Sequence, residues 1–169
     1  MKRFQWLVVG LILIAVGCGT SESSSTRQTI SAERYVLKTE PAGAVPVGEA
    51  RQTVESDEEV TLVGLIGGSS KPFVDGVAAF TIVDASVPYC ADEEGCPTPW
   101  DYCCKQNQVK NNIATVKVVD DSGVPIEADA MQLLGVKELS QVVVQGKAIR
   151  DDAGNLTVAA TKVFVRPGS

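Results

Sequence analysis

The chain has 169 residues, with 15 basic and 21 acidic side chains, a net charge of −6, five cysteines and no histidine. The missing histidine excludes Ser-His-Asp triads, Cys-His dyads and histidine general bases. The acidic balance opposes nucleic-acid phosphates and anionic lipid headgroups.

In chain order, Met1-Lys2-Arg3 precede an apolar run from Leu7 to Val16 and then Gly17-Cys18. A basic start, about ten apolar residues and a small-residue stop make a secretory signal over residues 1–17, too short for a membrane span. The stop reads "IAVGC" and resembles the lipobox of bacterial lipoproteins, with Ala15 where leucine is usual. That resemblance implies cleavage before Cys18 and a diacylglyceryl group on its sulfur. With Gly19 in place of aspartate, it also implies an outer-membrane destination facing the periplasm. Two or more acyl chains anchor stably where one is marginal, so the membrane is expected as a partner through the lipid. Losing Lys2 and Arg3 with the signal leaves 13 basic and 21 acidic residues, net −8.

Residues 18–57 are polar and rich in turn formers, "GTSESSSTRQT" and then "EPAGAVPVGEARQTVESDEE". They read as a flexible tether with too few apolar residues to fold, although "YVLKTEPAGAVPV" offers an extended arm that can dock on the domain. The domain itself is expected over residues 58–167.

Its pattern is mostly strand. "EVTLVGLIG" alternates over Glu59–Ile66, and "VAAFTIVDA" predicts a strand over Val77–Val83. "IATVKVVDDSG" predicts one over Ile113–Asp120, turning at Asp121-Ser122-Gly123. "DAMQLLGVKELS" is the one good helical candidate, with Asp129 placed as its cap, Met131, Leu134 and Leu139 on a shared face, and Gly135 shortening it. "QVVVQGKAIR" and "LTVAATKVFV" close the domain as a hairpin through "DDAGN". Three strands, a short helix and two strands is the element order of a mainly β fold, the five-stranded OB-like Greek-key barrel with its helix between strands three and four. A β-sandwich with one stray helix is the alternative. Gly64 and Gly146 fall mid-strand, where glycine permits a sharp bend or a bulge. In strand two Phe80 and Ile82 are expected to fill the barrel, which leaves few aromatics for stacking single-stranded nucleic acid.

Residues 84–112 form a long loop between strands two and three, and loops of that length are usually functional or cross-linked. Fifteen of them, "CADEEGCPTPWDYCC", hold four cysteines, four carboxylates and a tryptophan. Outside the cytoplasm clustered cysteines are more often oxidised than free, so the first expectation is two disulfides among Cys90, Cys96, Cys103 and Cys104. Cys103 bonded to Cys104 would close a small strained ring, which favours pairing each with Cys90 or Cys96. Such staples contribute about 2–3 kcal/mol each in the chain-entropy picture. Tyr89, Trp100 and Tyr102 then make a miniature core, pack on the barrel or present a binding surface.

The second reading is a metal site. Four thiolates suit tetrahedral Zn²⁺ or soft Cu(I) once reduced, although C-x5-C-x6-C-C lacks the paired CxxC knuckles of zinc ribbons. Asp92, Glu93, Glu94 and Asp101 offer oxygens to Ca²⁺ but do not match a calcium loop. The third reading is thiol–disulfide chemistry at Cys103-Cys104, beside Lys105 but amid acids that oppose a lowered thiol pKa. "GLIGGSS" lacks the lysine and helix of a phosphate loop.

The layout from Glu58 to Pro167, with "CPTPWDYCC", resembles a family of uncharacterised bacterial exported lipoproteins with an OB-fold-like domain. The resemblance implies that architecture and no activity. The expectation is therefore a non-enzymatic, lipid-anchored extracytoplasmic module that binds an envelope protein or small ligand and no nucleic acid. The alternative is a protein that handles copper or zinc through its four cysteines.

Overall fold

A computed structural model describes residues 31–168. The signal segment, Cys18 and the first part of the tether lie outside the described residues. Among the described residues no helix is long and apolar enough to cross a membrane.

The strands are β1 (Val45–Pro46), β2 (Glu59–Ile66), β3 (Ala79–Val83), β4 (Ile113–Val118), β5 (Gln141–Arg150) and β6 (Leu156–Val165); the helices are α1 (Val47–Thr53), α2 (Gln106–Val109) and α3 (Ala130–Leu134). β2 pairs with β3 and β3 with β4, both antiparallel. β4 runs parallel to β6, β6 antiparallel to β5, and β5 returns antiparallel to β2 from Glu59↔Lys147 to Leu65↔Gln141. Five strands thus close a ring, the OB-like barrel expected from the element order.

Alternation in β2 sends Val60, Leu62 and Ile66 inward, where they meet Phe80, Ile82, Val116, Val118, Val144 and Val158. Closure needs two close backbone approaches. At the bulge between Gln145 and Gly146, a Cβ on Gly146 would lie 2.1 Å from the Ala159 carbonyl oxygen. A Cβ on Gly64 would lie 2.9 Å from the carbonyl of Val83. Only glycine fits positions where backbone passes this near backbone.

β3 begins two residues later than its sequence suggests, because the amide of Ala79 turns back to the Val77 carbonyl at 2.7 Å. β4 stops before Asp120, whose carboxylate takes the amides of Ser122 and Val124 and builds the turn instead. The Asp129 side chain does cap α3, accepting from the amides of Met131 and Gln132, and Gly135 ends it at φ 67°. The face expected of that helix is different: Ala130, Leu133 and Leu134 are buried, whereas Met131 is exposed. One and a half turns cannot carry Leu139 onto the same face, and Leu139 sits beyond the helix with φ 61°.

The boundary at residue 58 is also corrected. Within 31–57 the chain is a packed arm, so a tether over 18–57 does not describe its second half. Val45 and Pro46 pair parallel with Leu62 and Val63 of β2. Val36 bridges Val163 of β6, and Tyr35 is buried. α1 plugs one end of the barrel with Val47 and Ala50, both wholly buried.

Two polar clamps hold α1. Asp84, buried at the end of β3, accepts the amide of Gly48 at 2.7 Å and that of Ser86 at 2.9 Å. The other clamp is Arg150, whose guanidinium donates to the carbonyls of Ala50 (3.2 Å), Arg51 (2.6 Å) and Val54 (2.7 Å). It thereby satisfies the last turn of α1, where the helix leaves carbonyls unpaired and favours a cation.

Replacing Arg150 by alanine is expected to cost about 1.5–3 kcal/mol in chemical denaturation. Lysine, which lacks the planar fork, should rescue little of it. Burial pushes the Asp84 carboxyl up, but the hydrogen bonds from Gly48 and Ser86 outweigh it and hold the group below the usual carboxylate range. Its folded pKa is therefore depressed, so its contribution is present above the unfolded value of about 3.9 and is lost as pH falls through the folded value. Denaturation midpoints measured from neutral pH downward should show this loss in the native chain and not in Asp84→Ala.

Candidate metal centre

The loop over 84–112 is a succession of tight turns, with 3-10 segments at Asp92–Glu94, Pro99–Asp101 and Cys103–Lys105 before α2. It is fastened to the barrel where β2 ends. The amide of Gly68 donates to the Trp100 carbonyl at 2.8 Å. A Cβ at Gly67 would meet that same oxygen at 2.6 Å and the Tyr102 ring at 2.9 Å. Gly68 adopts φ 95°, a conformation that glycine tolerates and other residues resist. The pair Gly67-Gly68, which as sequence reads only as the end of a strand, is thus the landing site of the loop.

Tyr102 is the anchor. It is fully buried, in a second small core with Val83, Val87, Val109 and Ile113. Burial, with Tyr89 and Cys90 nearby, raises its phenol to about 12. Its hydroxyl makes no hydrogen bond among the described residues. The backbone at Tyr102 takes φ 54°, which turns the chain between two 3-10 segments. Of the three aromatics expected as a binding surface, Tyr102 is therefore withdrawn into a core, as the miniature-core reading has it. Trp100 is half-buried, its indole NH reaching the Ser70 carbonyl at 3.4 Å. Tyr89 is exposed between two surface hollows that share Leu65, one reaching Lys137 and Gln141 and the other Val87 and Pro88.

Asp101 positions the cysteines that follow it. One carboxylate oxygen accepts the Thr98 hydroxyl at 2.6 Å and the other the Cys103 amide at 2.7 Å. The Thr98 bond foremost, and the Cys103 amide, keep that carboxyl below its ordinary range. Asp101 therefore caps the turn that bears Cys103 and Cys104. Spacing alone suggests an oxygen ligand here and misses this role, an aspartate bonded to the amide two residues on as in an Asx turn.

All four cysteines come together. Their sulfurs lie within 4.8 Å of one another, with Cys96–Cys103 at 2.9 Å, Cys90–Cys103 at 3.5 Å, and Cys96–Cys104 and Cys103–Cys104 each at 3.7 Å. No S–S bond joins any two of them in this arrangement. A regular tetrahedron of thiolates around zinc, with Zn–S about 2.3 Å, has S···S edges of about 3.8 Å. Three of the six edges fall close to that length, Cys96–Cys103 is shorter, and the two others stay within 4.8 Å.

The four environments differ. Cys90 is buried, and the amide of Cys104, with the neighbouring thiols, lowers its pKa. Cys96 is half-buried; a hydrogen bond with Cys103 lowers its pKa, but Cys90, desolvation and Cys104 together raise it to about 11. Cys103 is exposed and pushed up, first by Cys96 and Cys90. Crowding thus favours the thiolate at Cys90 and opposes it at Cys96 and Cys103 until a cation joins them.

Fold and site together define an OB-type barrel that carries a preformed four-thiol cluster on its longest loop. Compared with known proteins, the chain matches no protein-family model and no curated protein. Among solved structures, the hypothetical protein ygiW from E. coli is similar at 15% identity and a TM-score of 0.37, covering 78% of this chain and 96% of that one.

Because the Tyr102 hydroxyl is buried without a partner, Tyr102→Phe should raise the unfolding free energy by about 1–3 kcal/mol. Tyr102→Ala should lower it by about 3–5 kcal/mol. Urea denaturation of the two variants beside the native chain checks both signs.

Proposed function

We propose that this chain is a non-enzymatic metal–thiolate module of the bacterial cell envelope, exported by residues 1–17 and tethered through a lipid on Cys18. It holds one soft or borderline ion, zinc or Cu(I), on Cys90, Cys96, Cys103 and Cys104. The observation that carries the reading is the convergence of all four sulfurs on one point. Two staples onto the adjacent Cys103 and Cys104 would also gather four sulfurs, but as two bonds of about 2 Å, whereas three separations here are 3.5–3.7 Å, near a tetrathiolate edge. A tetrahedral ion needs one meeting of four. The donor chemistry agrees, being all sulfur in a chain without histidine, which selects against hard cations.

The protein's contribution is placement. The Cys104 amide supports the Cys90 sulfur, and Asp101 fixes the turn that aims Cys103 and Cys104. With zinc the uptake balances as Zn²⁺ plus four thiols giving a doubly negative tetrathiolate and four protons. The envelope location rests on the opening residues alone: the basic start, the apolar run and "IAVGC".

Intact-mass analysis of the mature chain, native and denatured, with and without an alkylating reagent, tests the metal. One zinc or copper per chain, with four thiols shielded until a chelator is added, is the expected result. A mass four hydrogens light, with no metal and nothing to alkylate among these four, would sink the proposal in favour of a stapled binding loop. Asp101→Ala should weaken zinc binding by about 10- to 100-fold, as loss of a group that orients ligands does elsewhere; zinc titration against a competing chelator measures it.

A further inference from the structure

The site differs from a structural zinc site in two ways, and both bear on what happens to the ion. Its shell is held by the protein and not by the ion. Tyr102 is packed in its own small core, the Trp100 carbonyl is bonded to Gly68, and Asp101 bonds both Thr98 and Cys103. The Cys90 amide reaches the Pro99 carbonyl at 3.3 Å, tying the first cysteine to the turn that precedes the last two. The barrel core is a separate cluster that includes none of the four cysteines. A site whose ion is needed for folding has no such scaffold of its own.

The second difference is graded exposure. Cys90 is 1% exposed, Cys96 is half-buried, and Cys103 and Cys104 are exposed. Three of the four ligands therefore face solvent along one edge, with the fourth at the floor.

Building on the metal-binding reading above, we propose that this is an exchange site. It passes its ion, through the open edge formed by Cys103, Cys104 and Cys96, to a protein bearing two closely spaced thiols, and Cys90 is the last ligand to let go. Exchange is associative. An acceptor sulfur forms one metal–sulfur bond as one exposed protein ligand releases its own, and the acceptor's proton passes to the displaced thiolate. The second acceptor thiol repeats the step; water then takes the places of the last two protein ligands, Cys90 finally, whose thiolates regain protons from solvent, and no electron moves. Because the shell is preformed, the emptied loop stays in place and is ready to reload. The exposed Glu93 and Glu94 beside the edge oppose an acidic acceptor, so the recipient surface is neutral or basic.

The test uses the full mature chain, zinc-loaded, mixed with rising concentrations of the neutral dithiol 2,3-dimercaptopropanol. Zinc retention is followed by native mass, and the fold by far-ultraviolet circular dichroism. The transfer rate should climb in proportion to dithiol while the dichroism holds constant. As a chelator then draws zinc from the loaded chain, partial alkylation should mark Cys103 and Cys104 first and Cys90 last. A rate that ignores dithiol concentration, or dichroism that collapses as zinc leaves, would overturn the exchange proposal while leaving metal binding intact. Failure to load zinc at all would overturn both.

Discussion

Everything at the cysteine loop depends on one contact, the seating of Tyr102 and the Trp100 carbonyl against Gly67-Gly68 at the end of β2. A polar loop of this length loses more conformational entropy on ordering than its own few apolar groups restore. Burying one tyrosine against Val83, Val87 and Val109 supplies apolar contact where the loop has least of its own. That contact sits one residue before Cys103, so the fixed point of the loop and the fixed point of the thiol cluster nearly coincide. A side chain on Gly67 would push the loop off its seat and scatter the sulfurs without touching one of them, and one on Gly68 would press on Ile113 and Val83 of the small core.

The same docking changes what the barrel presents. OB barrels commonly receive ligands on the face of their second and third strands, here β3 and β4. In β3, Phe80 and Ile82 face the main core, yet Ala79 and Val83 on the opposite side are also buried. The loop and its small core cover Val83, so part of the usual ligand face is occupied by the chain itself. The insertion thus takes the place of a ligand on that face, and the barrel serves as its mount.

Much of this architecture is legible in the sequence. β2 alternates cleanly, β2, β5 and β6 fall where their patterns place them, and Gly64 and Gly146 announce the two close approaches that closure needs. The arm over 31–57 is hidden because its buried residues, such as Tyr35, Val47 and Ala50, follow no period. They fill gaps at the barrel's end, and the shape of a gap is a tertiary property. α3 misleads because five residues are too few to establish a face. The convergence of the cysteines is hidden for a similar reason. Spacing of C-x5-C-x6-C-C gives no hint that φ 54° at Tyr102 and φ 67° at Gly95 fold the segment back on itself. The four cysteines are visible as a group, and a shared four-thiolate site stands in the sequence only as the second of its readings.

The arm has a mechanical meaning as well. Among the described residues, a pull from the N-terminal side would meet the barrel first at Tyr35–Leu37, where Val163 exchanges two hydrogen bonds with the arm, through the Tyr35 carbonyl at 2.7 Å and the Leu37 amide at 2.8 Å. The Arg34–Asp121 ion pair lies at the same point. These few bonds carry the load before β1, α1 or the barrel ladders feel it. A pull strong enough to strip them would lengthen the leash by the residues it frees and leave the ring of strands closed. The arm is thus a sacrificial joint between whatever holds the N-terminus and the loop that carries the thiols.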